Sequence, residues 1–217
     1  MAVTLAGLTV ARHIHPMSRV QHKPNRANRG PSPASPLAGQ LLIAMPHMQD
    51  PNFARSLICL CAHSADGAMG LILNQPIPKL TFEALLSQIG VAPLPPARSI
   101  RLVNGGPVEE GRGFVLHSAE WTAQGSLSVA SEFALTASLD ILKAIAEGGG
   151  PRQGLLALGY AGWGAGQLDR EIARNDWLHV APDEDLIFGG EDATRWRRAL
   201  AKLKVDPLLL AGQAGRA

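Results

Sequence analysis

The chain has 217 residues, with 46% hydrophobic and 18% charged residues, which describes an ordinary globular protein and excludes fibrous and wholly disordered classes. No apolar run approaches the roughly 18 residues of a membrane-spanning helix, so a soluble protein is expected, and two cysteines that suit a reduced, buried pair point to the cytoplasm. The net charge of +2 conceals an asymmetry: residues 1–36 hold Arg12, Arg19, Lys23, Arg26 and Arg29 and no acid, leaving 15 of the 20 basic residues to face all 18 acids. The body is therefore acidic, which argues against nucleic acid as a partner.

Residues 1–38 read as a disordered basic leader, rich in Pro, Ser, Asn and Arg. No basic segment precedes the apolar residues 2–11, so a secretory signal is not expected; a transit peptide or a misplaced start codon remain as alternatives. The domain is expected over 39–217. It begins with a buried strand over Gln40–Met45, stopped by Pro46. Two strand-like runs, 56–63 and 69–74, flank Asp66-Gly67 and predict a hairpin with a positive φ at Gly67. Phe82, Leu85, Leu86 and Ile89 form a helical stripe, N-capped by Thr81 and ended by Gly90.

A loop is marked by Pro93, Pro95 and Pro96, and strands follow over 100–103, 112–117, 127–130 and 133–137. Ser138 is placed to cap a helix carrying Ile141, Leu142 and Ile145, which Gly148-Gly149-Gly150-Pro151 ends. A strand over 154–159 enters a glycine-rich corner, and a helix runs from Leu168 through Asn175. Leu178–Val180, a turn at Pro182–Asp185 and an amphipathic helix over 192–203 complete the chain. Strands in hairpin-linked runs with irregularly interspersed helices predict an α+β fold with a mixed sheet.

The blocks Leu42–Pro46 with Asp50-Pro51-Asn52-Phe53, Asp66–Asn74, Gly105–Val108, Arg112–His117, Gly159–Glu171 and Asn175–Leu178 resemble, in order and spacing, the YqgE/AlgH family of bacterial proteins. The resemblance covers residues 39 to about 215. It implies a single α+β domain in the bacterial cytoplasm, with a mostly antiparallel, barrel-like sheet flanked by helices. One member's name comes from a role proposed in alginate regulation, and members are often labelled transcriptional regulators. No catalytic residue, substrate or cofactor comes with the resemblance. Asp169 stands where the family has Glu, Lys204 where Gly is usual, and Gly215-Arg216-Ala217 replaces a Gly-His-Ala ending.

Five residue sets carry candidate chemistry. Gly162, Gly164 and Gly166 could present backbone N–H groups to an anion at a helix N-terminus, although Gln167 takes the place of the third glycine of a dinucleotide fingerprint. Gln167, Glu171 and Asn175 fall on one side of the following helix, as a ligand-reading rim or as a solvated face with a C-cap. Cys59, Cys61 and His63 alternate along one strand and share a face, but their spacing suits a buried thiol pair better than a metal site. His47, His63, His117 and His179 lack a partnered nucleophile, so no catalytic constellation is readable. Arg195, Arg198 and Lys202 share one helical face that could meet phosphates, or could answer the helix macrodipole. The leading expectation is a non-enzymatic module that binds a small ligand or protein partner, without metal or cofactor. A DNA-binding regulator and an enzyme of unknown reaction are the alternatives.

Overall fold

The computed structural model describes residues 37–92 and 99–206; most of the expected leader, the Pro93–Pro96 loop and residues 207–217 lie outside them. Thirty-six residues into the chain, Leu37 already packs on the core, and the Gly39 N–H reaches the Leu60 carbonyl at 2.8 Å. The strands are β1 (Leu41–Ala44), β2 (Leu57–Ser64), β3 (Gly67–Ile72), β4 (Arg101–Asn104), β5 (Val108–Ser118), β6 (Leu127–Ala130), β7 (Phe133–Thr136), β8 (Gly154–Gly164) and β9 (Trp177–Val180). The helices are α1 (Phe82–Gln88), α2 (Leu139–Ala146), α3 (Gln167–Ala173), α4 (Glu184–Ile187) and α5 (Asp192–Lys202).

All nine strands join one curled sheet in the order β6-β7-β5-β8-β3-β2-β1-β9, with β4 beside β8. Among the described residues only the β4–β8 pair is parallel. The expected mixed, mostly antiparallel α+β architecture is the one observed. β8 organises it: its first half pairs with β5 and β4, and residues 161–164 pair with β3. The run through Gly162 and Gly164 is thus strand, and the corner lies later, at Ala165-Gly166.

Leu41 and Ile43 face one core cluster, Leu42 and Ala44 another. A strand covered on both faces reads as a continuous apolar run, as residues 41–44 do. Trp196, Ala199 and Leu200 of α5 close the first cluster. α1 and α2 cover Leu102, Val115, Leu156 and Leu158 on the opposite side, and α3 covers Ile58 and Ile72.

Gly105-Gly106 and Gly159, widely separated in sequence, serve one crossing of backbones. A Cβ on Gly106 (φ +147°) would lie 2.2 Å from the Tyr160 carbonyl carbon, and one on Gly159 would lie 2.4 Å from the Gly106 oxygen. Thr81 caps α1 as expected, accepting from the Ala84 N–H at 3.2 Å. Ser138 holds the N-cap position of α2 but makes no capping hydrogen bond. The expected Pro182–Asp185 turn is instead the entry to α4, where Asp183 accepts from the Leu186 N–H at 2.7 Å.

One expectation about β2 is overturned. A bulge between Leu60 and Ala62 breaks the alternation, so Cys59 and Cys61 stay in one core cluster while His63 pairs Ala68 and meets Asp169 of α3 at 3.3 Å. The two thiols are free and buried. Hydrogen bonding with Cys59, reinforced by burial, holds the Cys61 thiol well above its ordinary value, which keeps it protonated and inert.

Candidate functional site

The glycine-rich corner is a closed knot. Glu171 Oε2 accepts from both the Trp163 and Trp177 indole N–H groups at 2.9 Å, and its Oε1 accepts from Gln167 Nε2 at 2.8 Å. Gln167 Oε1 in turn accepts from the Gly164 backbone N–H at 3.0 Å. Phe53 stacks on Trp163 with centroids 6.4 Å apart and meets Trp177 edge-on at 5.9 Å. The one rim carboxylate therefore joins two strands and a helix, and the Asp50–Phe53 block is held to the corner by aromatic packing.

Gly166 sits at φ +62° at the N-cap of a helix only seven residues long. Asn175, at φ +61°, is the left-handed residue that ends α3: its N–H reaches the Ile172 carbonyl and the Asp176 N–H reaches that of Glu171, both at 2.9 Å. That is a Schellman cap. Of the six candidate ligand-binding residues, the structure brings Gly164, Gln167 and Glu171 together, bonded to one another. Gly162 pairs with Met69 in the sheet, and Gly166 and Asn175 stand at the two ends of α3.

The α5 cations do share a face, but Arg195 is buried and the partly exposed Arg198 and exposed Lys202 are tied back to the 181–189 segment. Arg195 has no exposed side chain and donates to the carbonyls of Leu186, Ile187 and Gly190 and to Asp192. Arg198 binds the Gly189 and Asp185 carbonyls and the Asp185 carboxylate, and Lys202 binds Asp183. Reading Arg195 as a phosphate contact is therefore corrected: a guanidinium with no exposure cannot reach a duplex. Burial lowers Arg195 and Arg101 to about 10 each, so both stay charged near neutrality. Among the described residues, no group of three or more His, Cys, Asp and Glu is arranged to hold a metal ion.

A different feature stands open. A groove of about 850 Å³ runs between the segment after β1 and α5, lined by Pro46, Ala54, Arg55, Asn74, Gln75 and Trp196, with Asp192, Ala193, Arg197 and Asp206 completing its walls. Arg55 is held at φ +55°. The Asn74 side chain fixes this backbone, donating to the Arg55 carbonyl at 2.9 Å and accepting from the Leu57 N–H at 2.8 Å. Gln75 donates to the Asn52 carbonyl at 2.8 Å, and Trp196 donates to the Ala44 carbonyl at 2.8 Å. Asp192 is paired with Arg101 and Arg195. Arg101, Arg112, Arg152, Arg174, Arg195 and Arg198 each meet a carboxylate. Sequence reasoning missed this groove, because Arg55, Gln75 and Arg197 show no spacing that links them.

A family model described as AlgH-like matches residues 41–208 of this chain. The chain belongs to that family. A UPF0301 protein of Cereibacter sphaeroides is 49% identical over 182 residues, which span 83% of this chain and 99% of the relative. A UPF0301 protein of Bradyrhizobium diazoefficiens is 50% identical over 195 residues, covering 86% of this chain and 91% of its own. The solution structure of the AlgH protein from Pseudomonas aeruginosa matches with TM-score 0.68 at 44% identity, over 88% of this chain and all 100% of that one. A Corynebacterium diphtheriae protein at 21% identity, TM-score 0.59, shares the fold. The glycine crossing and the tryptophan knot are built from the blocks that carried the family resemblance, whereas of the residues lining the groove only Pro46 and Asn74 belong to those blocks. No described helix is long and apolar enough to cross a membrane.

Proposed function

We propose that this AlgH-like chain is a non-enzymatic cytoplasmic module whose ligand or protein partner seats in the groove between the residue 46–55 segment and α5, with any regulatory role exerted through that partner. The supporting observation is the contrast between two polar regions. At the glycine-rich corner the side chains of Gln167 and Glu171 bond to the chain itself. At the groove, about 850 Å³ of open space, within the usual 300–1,000 Å³ of small-molecule sites, is faced by Arg55 and Arg197, which meet no carboxylate among the described residues. Native mass spectrometry of the purified chain tests the reading: a molecule bound non-covalently is expected, and it is lost in the groove-filling variant Ala54→Trp. Retention by that variant, with its fold intact by circular dichroism, would place the ligand elsewhere and refute the proposal.

A further inference from the structure

Arg55 and Arg197 are exposed, come from separate elements, and line one groove. Neither guanidinium has a hydrogen-bond or ion-pair partner among the described residues. A left-handed backbone costs an arginine about 1–2 kcal/mol, and such strain persists only where the surroundings hold it. Here Asn74 holds it from both sides, through the Arg55 carbonyl and the Leu57 N–H. The chain thus maintains an unfavourable conformation that sets an unpaired cation on the wall of a cavity.

The surroundings add to the positive field. α5 brings its first turn, Asp192 and Ala193, to the groove, and its N-cap Glu191 makes no side-chain capping bond. Two carboxylates also face the space. Asp192 is neutralised by Arg101 and Arg195, and Asp206 is itself engaged. Two guanidinium forks offer more donors than one carboxylate can accept in plane, whereas a phosphoryl group presents three terminal oxygens and a charge of about −1.5 to −2 at neutral pH. The groove is far larger than inorganic phosphate, and Pro46, Ala54 and Trp196 give it an apolar wall for the rest of a molecule.

We infer that the groove is a phosphomonoester site in which Arg55 and Arg197 grip the phosphoryl group of a small metabolite whose body lies against Trp196. The inference rests on the groove being the binding seat. Its test is an amide NMR titration of the full chain with glycerol 3-phosphate, with glycerol and succinate as controls.

Glycerol 3-phosphate is expected to shift the resonances of Arg55, Gln75, Ala193 and the Trp196 indole at millimolar concentration. In the Arg55→Gln/Arg197→Gln variant the affinity falls by about tenfold or more, the loss of at least one charge-assisted bond. The melting temperature stays within about 2 °C, because neither side chain has a folded-state partner to lose. Arg170→Gln, outside the groove, leaves binding unchanged. Absence of shifts, shifts that the double variant retains, or succinate binding equally well would each overturn the phosphoryl assignment. If a neutral or cationic molecule co-purifies and Ala54→Trp expels it, the phosphoryl assignment fails while the groove remains the seat. If Ala54→Trp leaves a bound molecule in place, both fail.

Discussion

Replacing Glu171 by alanine separates a structural carboxylate from a ligand-reading one. In the native chain one oxygen of Glu171 serves two indole N–H groups, each at 2.9 Å, on tryptophans that are 6% and 2% exposed. Removing the carboxylate leaves both donors in places that water barely enters. A buried donor left without a partner costs about 1–3 kcal/mol, so two together cost about 2–6, centred near 4 kcal/mol. For a domain of this size each kcal/mol moves the melting temperature by about 2–4 °C, which predicts a fall of about 8–16 °C.

Glu171→Gln keeps an oxygen for the indoles but sets an amide NH₂ against Gln167 Nε2, a donor facing a donor where the native bond is 2.8 Å. The lost charge assistance and that clash together cost about 1–2 kcal/mol. Thermal unfolding by far-UV circular dichroism, with the near-UV spectrum reporting the packing of Trp163 and Trp177, measures both variants. The reasoning is refuted if Glu171→Ala melts within about 2 °C of the native chain, because the carboxylate would then be free to read a ligand.

Arg195→Met leaves the carbonyls of Leu186, Ile187 and Gly190 without their common donor, and a loss of about 3 kcal/mol or more in urea unfolding is expected, with no rescue by Arg195→Lys, whose ammonium cannot fork. A cost below about 1 kcal/mol would mean that the α4–α5 turn does not depend on this guanidinium. Lys204 stands at φ +57° as the left-handed residue after α5, so Lys204→Gly should stabilise the chain by about 0.5–1 kcal/mol, seen as a raised urea midpoint. Unchanged or lower stability would remove strain as the reason glycine suits that position. His117, buried with no exposure, donates from Nδ1 to the Ser118 carbonyl (3.0 Å) and accepts at Nε2 from Thr136 (2.9 Å), and burial lowers its pKa below the usual 6.5. The unfolded chain therefore takes up a proton first, and stability falls as pH drops below about 6.5, well before the carboxylates titrate. Urea midpoints at pH 7.5 and 5.5 should converge in His117→Gln, and an equal pH slope in both proteins would assign the loss to another group.

Local chemistry was legible in the sequence where one residue dictates one geometry. Thr81 at an N-cap and the two-sided apolar run of β1 could be read directly, because the signal lies in adjacent side chains. The curl of the sheet came with the family resemblance, since no local pattern encodes which strands meet. His63 was misassigned because a bulge has no sequence signature here: β2 alternates cleanly until Cys61 becomes an extra residue. The α5 cations were correctly placed on one face, but periodicity cannot tell a face toward water from one toward backbone carbonyls. Arg195 lies on the side that the 186–190 turn covers.

The same distinction locates the site. A polar side chain whose bonds are all made within the chain is part of the fold, since a ligand would first have to break them. Glu171, Gln167, Arg195 and Arg198 are all of this kind, although each carries a residue type that a sequence reading assigns to binding. Arg55 and Arg197 carry the reverse signature, charged, exposed and without a carboxylate, in one groove, with a strained backbone beneath one of them. The left-handed conformation at Arg55 ends the turn that starts at Asp50, with the Ser56 N–H reaching the Phe53 carbonyl at 3.0 Å, and it leaves the guanidinium without a partner among the described residues. A ligand anion supplies that partner. Asn74 is then a positioning residue, and Asn74→Ala should weaken phosphomonoester binding through Arg55 while leaving Arg197 in place, a partial loss that the double arginine variant exceeds.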